Sequence, residues 1–145
     1  MNRIERLVGT ALAVGALSAL AMPSAHAARP VEFTIHQDLN FNTGEFTFTA
    51  TGPLCPSGTF EDSPRTFGAD NILIDTIYMC DDGSGSFYAK KHVHGLPEGG
   101  SSGPISFHGG TGSYTDLRGH GVDSGEFVGD GIAEAEIVGV IVSLG

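Results

Sequence analysis

The sequence has no tryptophan and few positive charges, and both shortages limit what the protein can do. Only 7 lysines and arginines face 17 aspartates and glutamates among 145 residues, which gives a formal net charge of −10. Such an acidic surface repels nucleic-acid phosphates and anionic membranes, and no basic stripe interrupts it. We therefore expect no nucleic-acid partner. The lack of tryptophan also removes one common stacking residue of carbohydrate sites and interfaces.

Long apolar runs are missing too, except at the N-terminus. Arg3 and Arg6 precede an uncharged apolar run over 7–22, and residues 25–27 (AHA) match the small-x-small pattern of a signal-peptidase site. The run has about 16 residues, fewer than the roughly 20 that a spanning helix needs. We predict a cleavable signal peptide over 1–27, one mature domain over 28–145, no membrane span, and secretion to the cell envelope or beyond it.

Cysteine is scarce, since Cys55 and Cys80 are the only two. An even number of cysteines in an exported chain favours a disulfide, and no CxxC spacing points to a metal or redox site. We predict that the two residues are bonded. Closing a loop of about 25 residues stabilises a fold by about 3 kcal/mol in the chain-entropy model.

Helical periodicity is nearly absent, whereas apolar and polar residues alternate at period two in several segments. Strands are predicted over 31–35, 46–50, 71–80, 86–94 and 132–144, with shorter ones over 59–61, 105–108 and 126–129. Turn residues fill 40–44 and 81–85, and glycine-rich loops are predicted at 95–103 and 109–121. About eight strands at short spacing predict an all-β fold, as a single antiparallel β-barrel or, alternatively, a β-sandwich.

The most specific motif lies in the glycine-dense segment 107–121, FHGGTGSYTDLRGHG. Its glycines permit positive φ and close backbone approach at a corner, while Tyr114 and Leu117 are spaced to plug a barrel end from one helical turn. The predicted structural corner comprises Gly109, Gly110, Gly112, Tyr114, Leu117, Gly119 and Gly121. A phosphate-binding loop is disfavoured, because the Lys-Ser/Thr ending of a P-loop and the spacing of a dinucleotide fingerprint are missing.

The pattern GGTG-x-Y-x-x-L-x-G-x-G resembles the signature of the allene oxide cyclase/dirigent-type barrel superfamily, and looks closest to small exported actinobacterial proteins of that kind. The segments 52–58 (GPLCPSG) and 80–85 (CDDGSG) are similar to segments of those proteins. The resemblance covers scattered motifs over roughly residues 46–130. It implies an eight-stranded antiparallel barrel with a central cavity, often in a homo-oligomer. The catalytic residues of the superfamily do not map onto this chain, so the resemblance does not imply their activity.

Histidine and carboxylate pairs are the candidates for chemistry. His92 and His94 share a face of a predicted strand, which suits two ligands of Zn²⁺ or Cu²⁺ with His108 or a carboxylate as the third. Alternatively, these side chains form a polar, solvent-exposed face of the strand together with Tyr88 and Lys90. We expect this second arrangement, and so predict no metal and no cofactor. A calcium loop at 81–84 is disfavoured because the full spacing and its final glutamate are missing.

Two glutamates on the last strand are the other candidates. Glu134 and Glu136 share a face opposite the more apolar face of Ala133 and Ala135, so they are expected outside the barrel. Paired carboxylates can act as acid and base when burial separates their pKa values. Together with the histidine face described above, this gives a candidate polar site of Tyr88, His92, His94, His108 and Glu136.

Three functions remain open at this stage. The first is an exported barrel that binds a small apolar or amphipathic molecule in its cavity. The second is a cyclase- or isomerase-like enzyme on a hydrophobic metabolite, which needs Tyr88, His92, His94 or Glu136 to face inward. The third is a structural or interaction protein of the cell envelope, which a filled barrel with a large exposed apolar patch would favour.

Overall fold

Eight antiparallel strands close into a single barrel in a computed structural model that describes residues 29–68 and 70–144. The strands are β1 Val31–Asn40, β2 Glu45–Ala50, β3 Ser57–Phe67, β4 Asn71–Cys80, β5 Ser86–Gly95, β6 Ser101–Gly110, β7 Arg118–Gly129 and β8 Ile132–Ser143. Each strand pairs with the next, and β8 pairs with β1 to close the barrel. The predicted all-β antiparallel barrel is confirmed, and the sandwich alternative was wrong. The predicted signal peptide lies outside the described residues.

Period-two alternation decides which side chains enter the barrel. On β1, Phe33, Ile35 and Gln37 are buried, while the residues between them are only partly covered. On β5 the buried positions run from Phe87 to Val93 in steps of two. The inward register therefore follows the sequence pattern, because successive side chains of a strand point to opposite faces of a sheet.

Three strands are longer than their sequence pattern predicts. β3 covers 57–67 rather than 59–61, β6 covers 101–110 rather than 105–108, and β7 begins at Arg118, inside the segment expected to be a glycine corner. Most of the extra residues are polar, glycine or proline, and they show little alternation. They form strands because the neighbouring strand offers a continuous ladder of backbone hydrogen bonds, which composition alone does not reveal.

The two ends of the barrel differ. One end, called here the closed end, carries the connections 51–56, 81–85 and 111–117. The other, the open end, carries the connections 41–44, 68–70, 96–100 and 130–131. Because the strands alternate in direction, every second connection falls at the same end.

Aromatic rings fill the half of the barrel next to the closed end. Tyr78 stacks on Phe87 with ring centroids 4.7 Å apart, and Phe48 meets Tyr78 edge-on at 5.2 Å. The buried rings of this half are Phe33, Phe48, Phe60, Tyr78, Phe87, Phe107 and Tyr114. Offset and edge-to-face pairs of this kind stabilise a core beyond the area that they bury.

The glycine-rich corner caps the closed end. Residues Gly112–Tyr114 form a short 3-10 helix, and Tyr114 and the nearby Leu117 are buried beneath it. Gly112 has a φ of +58°, and a Cβ on Gly110 would lie 2.0 Å from the Ser86 carbonyl oxygen, so both positions require glycine.

No helix among residues 29–68 and 70–144 is long and apolar enough to cross a lipid bilayer.

A disulfide joins Cys55, in the connection between β2 and β3, to Cys80 at the end of β4. The predicted pairing is confirmed. The bond fastens the connection 51–56 of the closed end to the barrel wall, and Cys55 itself is packed into the core.

Replacing both cysteines by alanine is expected to lower the free energy of unfolding by about 3 kcal/mol, because the unfolded chain loses the closed loop of 25 residues. Urea denaturation of the variant and of the parent protein measures the difference. A reducing agent should destabilise the parent protein and leave the variant unchanged. An equal midpoint for both proteins without reductant would contradict the expectation.

Candidate functional site

The half of the barrel next to the open end contains a cavity of about 350 Å³. Its walls are mainly apolar and come from both long and short side chains. The apolar lining residues are Leu39, Phe41, Ile72, Ile74, Val93, Phe127, Ala133 and Ala135. Small residues line it on β7 and β8, namely Gly125, Ala133 and Ala135, whereas large aromatic residues from β1 to β6 fill the closed half.

The floor of the cavity is polar. Gln37 on β1, Asp62 on β3, Lys91 on β5 and Asp123 on β7 all point inward and line it. Gln37 is fully buried, and Lys91 and Asp123 are only 3% and 4% exposed. Charged side chains are rarely buried this deeply unless they are paired, so the contacts between them decide whether the arrangement is stable.

The Lys91 ammonium holds the floor together. Its Nζ donates to Gln37 Oε1 at 3.0 Å and lies 3.2 Å from Asp123 Oδ2 and 3.8 Å from Asp62 Oδ1. The same atom lies 5.6 Å from the centre of the Phe60 ring, within cation–π range. The ammonium thus has one amide oxygen and two carboxylates around it, the closer of which belongs to Asp123.

Two further hydrogen bonds fasten the floor to the barrel. Gln37 Nε2 donates to the Tyr78 hydroxyl oxygen at 3.1 Å, and Thr76 Oγ1 donates to Asp62 Oδ1 at 2.6 Å. Tyr78 also belongs to the aromatic stack of the closed half. The polar floor is therefore continuous with the packed core, and no buried side-chain nitrogen or oxygen of the described residues lacks a partner.

Burial and charge shift two pKa values at the floor. Burial raises the pKa of Asp123 above its ordinary value, the neighbouring Lys91 opposes that shift, and Asp62 adds to it. Burial, followed by the charges of Asp62 and Asp123, raises the pKa of Tyr78 well above its usual range. Tyr78 therefore stays protonated at neutral pH and serves as a neutral hydrogen-bonding group.

The arrangement suits recognition of a molecule with an apolar body and one polar end. The walls exclude water from the body of such a molecule, and the floor presents charged groups at a fixed depth. Cavities of roughly 300–1,000 Å³ with apolar walls and a few placed polar groups are typical small-molecule sites.

The structure does not bring the sequence-predicted polar site together. Tyr88, His92 and His94 occupy the outward-facing positions of β5, His108 is exposed on β6, and Glu136 is exposed on β8. Two strands, β6 and β7, separate Glu136 from β5. The outward position of Glu136 agrees with the expected outer face, and none of the five residues lines the cavity.

A different set of residues meets on the outer surface. His36, Asp38 and Glu134 place one donor atom each within 4.8 Å of one another, and His36 Nε2 lies 3.5 Å from Asp38 Oδ1. His36 and Glu134 border a shallow outer groove of about 480 Å³ that also includes Glu126 and Glu136. All three side chains contact solvent. The register of β1 and β8 accounts for their proximity, because it places Asp38 opposite Glu134 and His36 opposite Glu136.

Sequence reasoning missed the residues that form the floor. Gln37 continues the inward register of Phe33 and Ile35, and Lys91 lies between Ala89 and Val93 in the inward register of β5. A polar residue in an otherwise apolar period-two register is the signal that marks them. Asp62 and Asp123 lie in segments of weak alternation and gave no such signal.

Comparisons of this chain with protein-family profiles, with curated proteins and with solved structures found no match. The resemblance to the allene oxide cyclase/dirigent-type superfamily therefore stays a prediction from the motif in 109–121.

Replacing Lys91 by methionine is expected to lower the free energy of unfolding by about 3–5 kcal/mol, because two buried carboxylates then face each other without a cation. The adjacent Lys90 provides a matched control, since it is exposed and lies 3.7 Å from Asp75 on the outer surface. Lys90→Met should change the stability by less than about 1 kcal/mol. Urea denaturation of both variants measures the difference, and equal losses would contradict the central role of Lys91.

Proposed function

We propose that the protein is an exported β-barrel that binds a small amphipathic molecule in its open half. The observation that carries this proposal is the cavity of about 350 Å³, with apolar walls and a charged, fully hydrogen-bonded floor. Barrels of eight strands are either filled by their own side chains or wide enough to hold one small ligand. This barrel is filled at one end and open at the other.

The residues at the cavity mouth support entry of a ligand. Phe41 and Phe127 line the cavity yet are 52% and 70% exposed, and their ring centroids lie 6.0 Å apart. Ala133, which pairs with Phe127 across β7 and β8, and Ala135 have small side chains and leave space beside these rings. Large apolar side chains that remain exposed beside a cavity are typical of a site that a ligand covers.

The cavity favours binding over the two other functions. The isomerase hypothesis needs Tyr88, His92, His94 or Glu136 inside the barrel, and the cavity contains none of them. The envelope-interaction hypothesis expects a filled barrel, whereas half of this one is open. Ligand binding therefore needs only the cavity and its lining residues, without a catalytic group.

Export is supported by two independent features. The signal-peptide pattern over 1–27 predicts secretion, and the disulfide between Cys55 and Cys80 suits an oxidising compartment. A ligand site in a secreted protein would meet molecules outside the cell.

A neutral apolar fluorophore, N-phenylnaphthylamine, is expected to bind the cavity and to gain fluorescence there. Ala135→Phe fills the cavity and should weaken binding by roughly tenfold or more, equivalent to ~1.4 kcal/mol. Val138→Phe on the same strand adds the same ring to the outer face, since Val138 is 47% exposed, and should leave binding unchanged. Fluorescence titration measures all three proteins.

Two outcomes would contradict the proposed function. The first is no fluorescence change with the parent protein. The second is equal affinity for the parent protein and Ala135→Phe, which would place the fluorophore outside the cavity. Urea denaturation of both variants ensures that each protein is folded when it is titrated.

A further inference from the structure

More acidic than basic side chains line the cavity. One cation, Lys91, lines it together with four carboxylate residues, which are Asp62, Asp123, Glu126 and Glu134. The two aspartates point into the cavity from β3 and β7, whereas the two glutamates also border the outer groove and lie at the rim between the two. A concave site with apolar walls strengthens the field of such charges, because little water is present to screen them.

Lys91 is already committed to the protein. Its ammonium donates to Gln37 Oε1, pairs with Asp123 at 3.2 Å and lies 3.8 Å from Asp62, so a ligand carboxylate or phosphate would compete with groups that the protein already supplies. An anionic ligand at this ammonium would also lie beside two carboxylates, Asp62 and Asp123, which repel it. The cavity is therefore unsuited to fatty acids and other anionic amphiphiles.

Asp62 is the less committed of the two floor carboxylates. Its Oδ1 lies 3.8 Å from the Lys91 Nζ, whereas Asp123 Oδ2 lies at 3.2 Å. Its side chain is 12% exposed, compared with 5% for Asp123. The hydrogen bond from Thr76 holds it in place. Asp62 thus presents a fixed negative charge on the cavity side of the floor.

We propose that the ligand is a cationic amphiphile, a protonated amine whose ammonium binds Asp62 and whose apolar body lies against the walls of the cavity. This inference rests on the proposed function and adds the chemical class of the ligand. The ammonium gains a charge-assisted hydrogen bond, which is stronger than a bond between neutral groups. The apolar body covers Leu39, Ile72, Ile74 and Val93, which otherwise face the open cavity.

The test compares three probes of equal chain length, octylamine, octanol and octanoate, by isothermal titration calorimetry at neutral pH. Octylamine should bind at least about tenfold more tightly than octanol, since a hydrogen bond to a charged group is worth that much. Octanoate should bind most weakly. Asp62→Asn should remove the preference for the amine and keep the affinity for octanol, because asparagine still accepts the bond from Thr76.

Glu61→Gln is the matched control. Glu61 precedes Asp62 on β3, is exposed on the outer face, and its replacement removes the same charge from the protein. The preference for octylamine should survive in this variant. A preference lost equally in both variants would show attraction to the overall acidic surface rather than to Asp62, and would overturn the inference.

The remaining outcomes separate the two proposals. If octanol or octanoate binds as tightly as octylamine, or if Asp62→Asn keeps the preference for the amine, the ligand class is wrong and the proposed function stands. If none of the three probes binds the folded parent protein, both proposals fail.

Discussion

The arrangement of the whole barrel depends on one buried ammonium. Lys91 projects into the middle of the barrel, where an ion is costly unless it is fully paired. Its partners come from three other strands, Gln37 from β1, Asp62 from β3 and Asp123 from β7. Every second strand thus contributes one group to a single layer. This layer prevents the aromatic core from continuing to the open end. Further large apolar side chains there would remove water from the charged groups without offering them hydrogen bonds in return.

The polar layer divides the barrel into two halves with different physical roles. The closed half is packed by seven buried aromatic rings, capped by the 3-10 helix and fastened by the disulfide. The open half contributes little packing, and its inward positions on β7 and β8 are small. Stability is therefore concentrated at one end, which leaves the other free to remain open. A rigid scaffold that carries a less packed site is the usual arrangement in ligand-binding proteins.

The sequence predicts the fold better than the site. Alternation over 31–35 and 86–94, the turn residues at 81–85 and the two cysteines are local signals, and they were sufficient for the barrel and its disulfide. The site depends on residues brought together from distant strands. Asp62 lies in a strand that was predicted as three residues long, and Asp123 follows a glycine-dense segment without alternation. Their inward direction follows from the pairing of β3 and β7 with their neighbours, which a single sequence does not display. The histidines were predicted as site residues because of the chemistry of their side chains, yet they occupy outward positions of their strands.

The central claim is that the polar layer is the floor of a ligand cavity, and methyl chemical-shift mapping by NMR tests it most directly. Isoleucine methyl groups report on both halves, since Ile72 and Ile74 line the cavity while Ile141 is buried in the closed half. Addition of octylamine should shift the methyl signals of Ile72 and Ile74 and leave those of Ile141 in place. Shifts confined to Ile77, which is 42% exposed on the outer face, or an unchanged spectrum would contradict the claim.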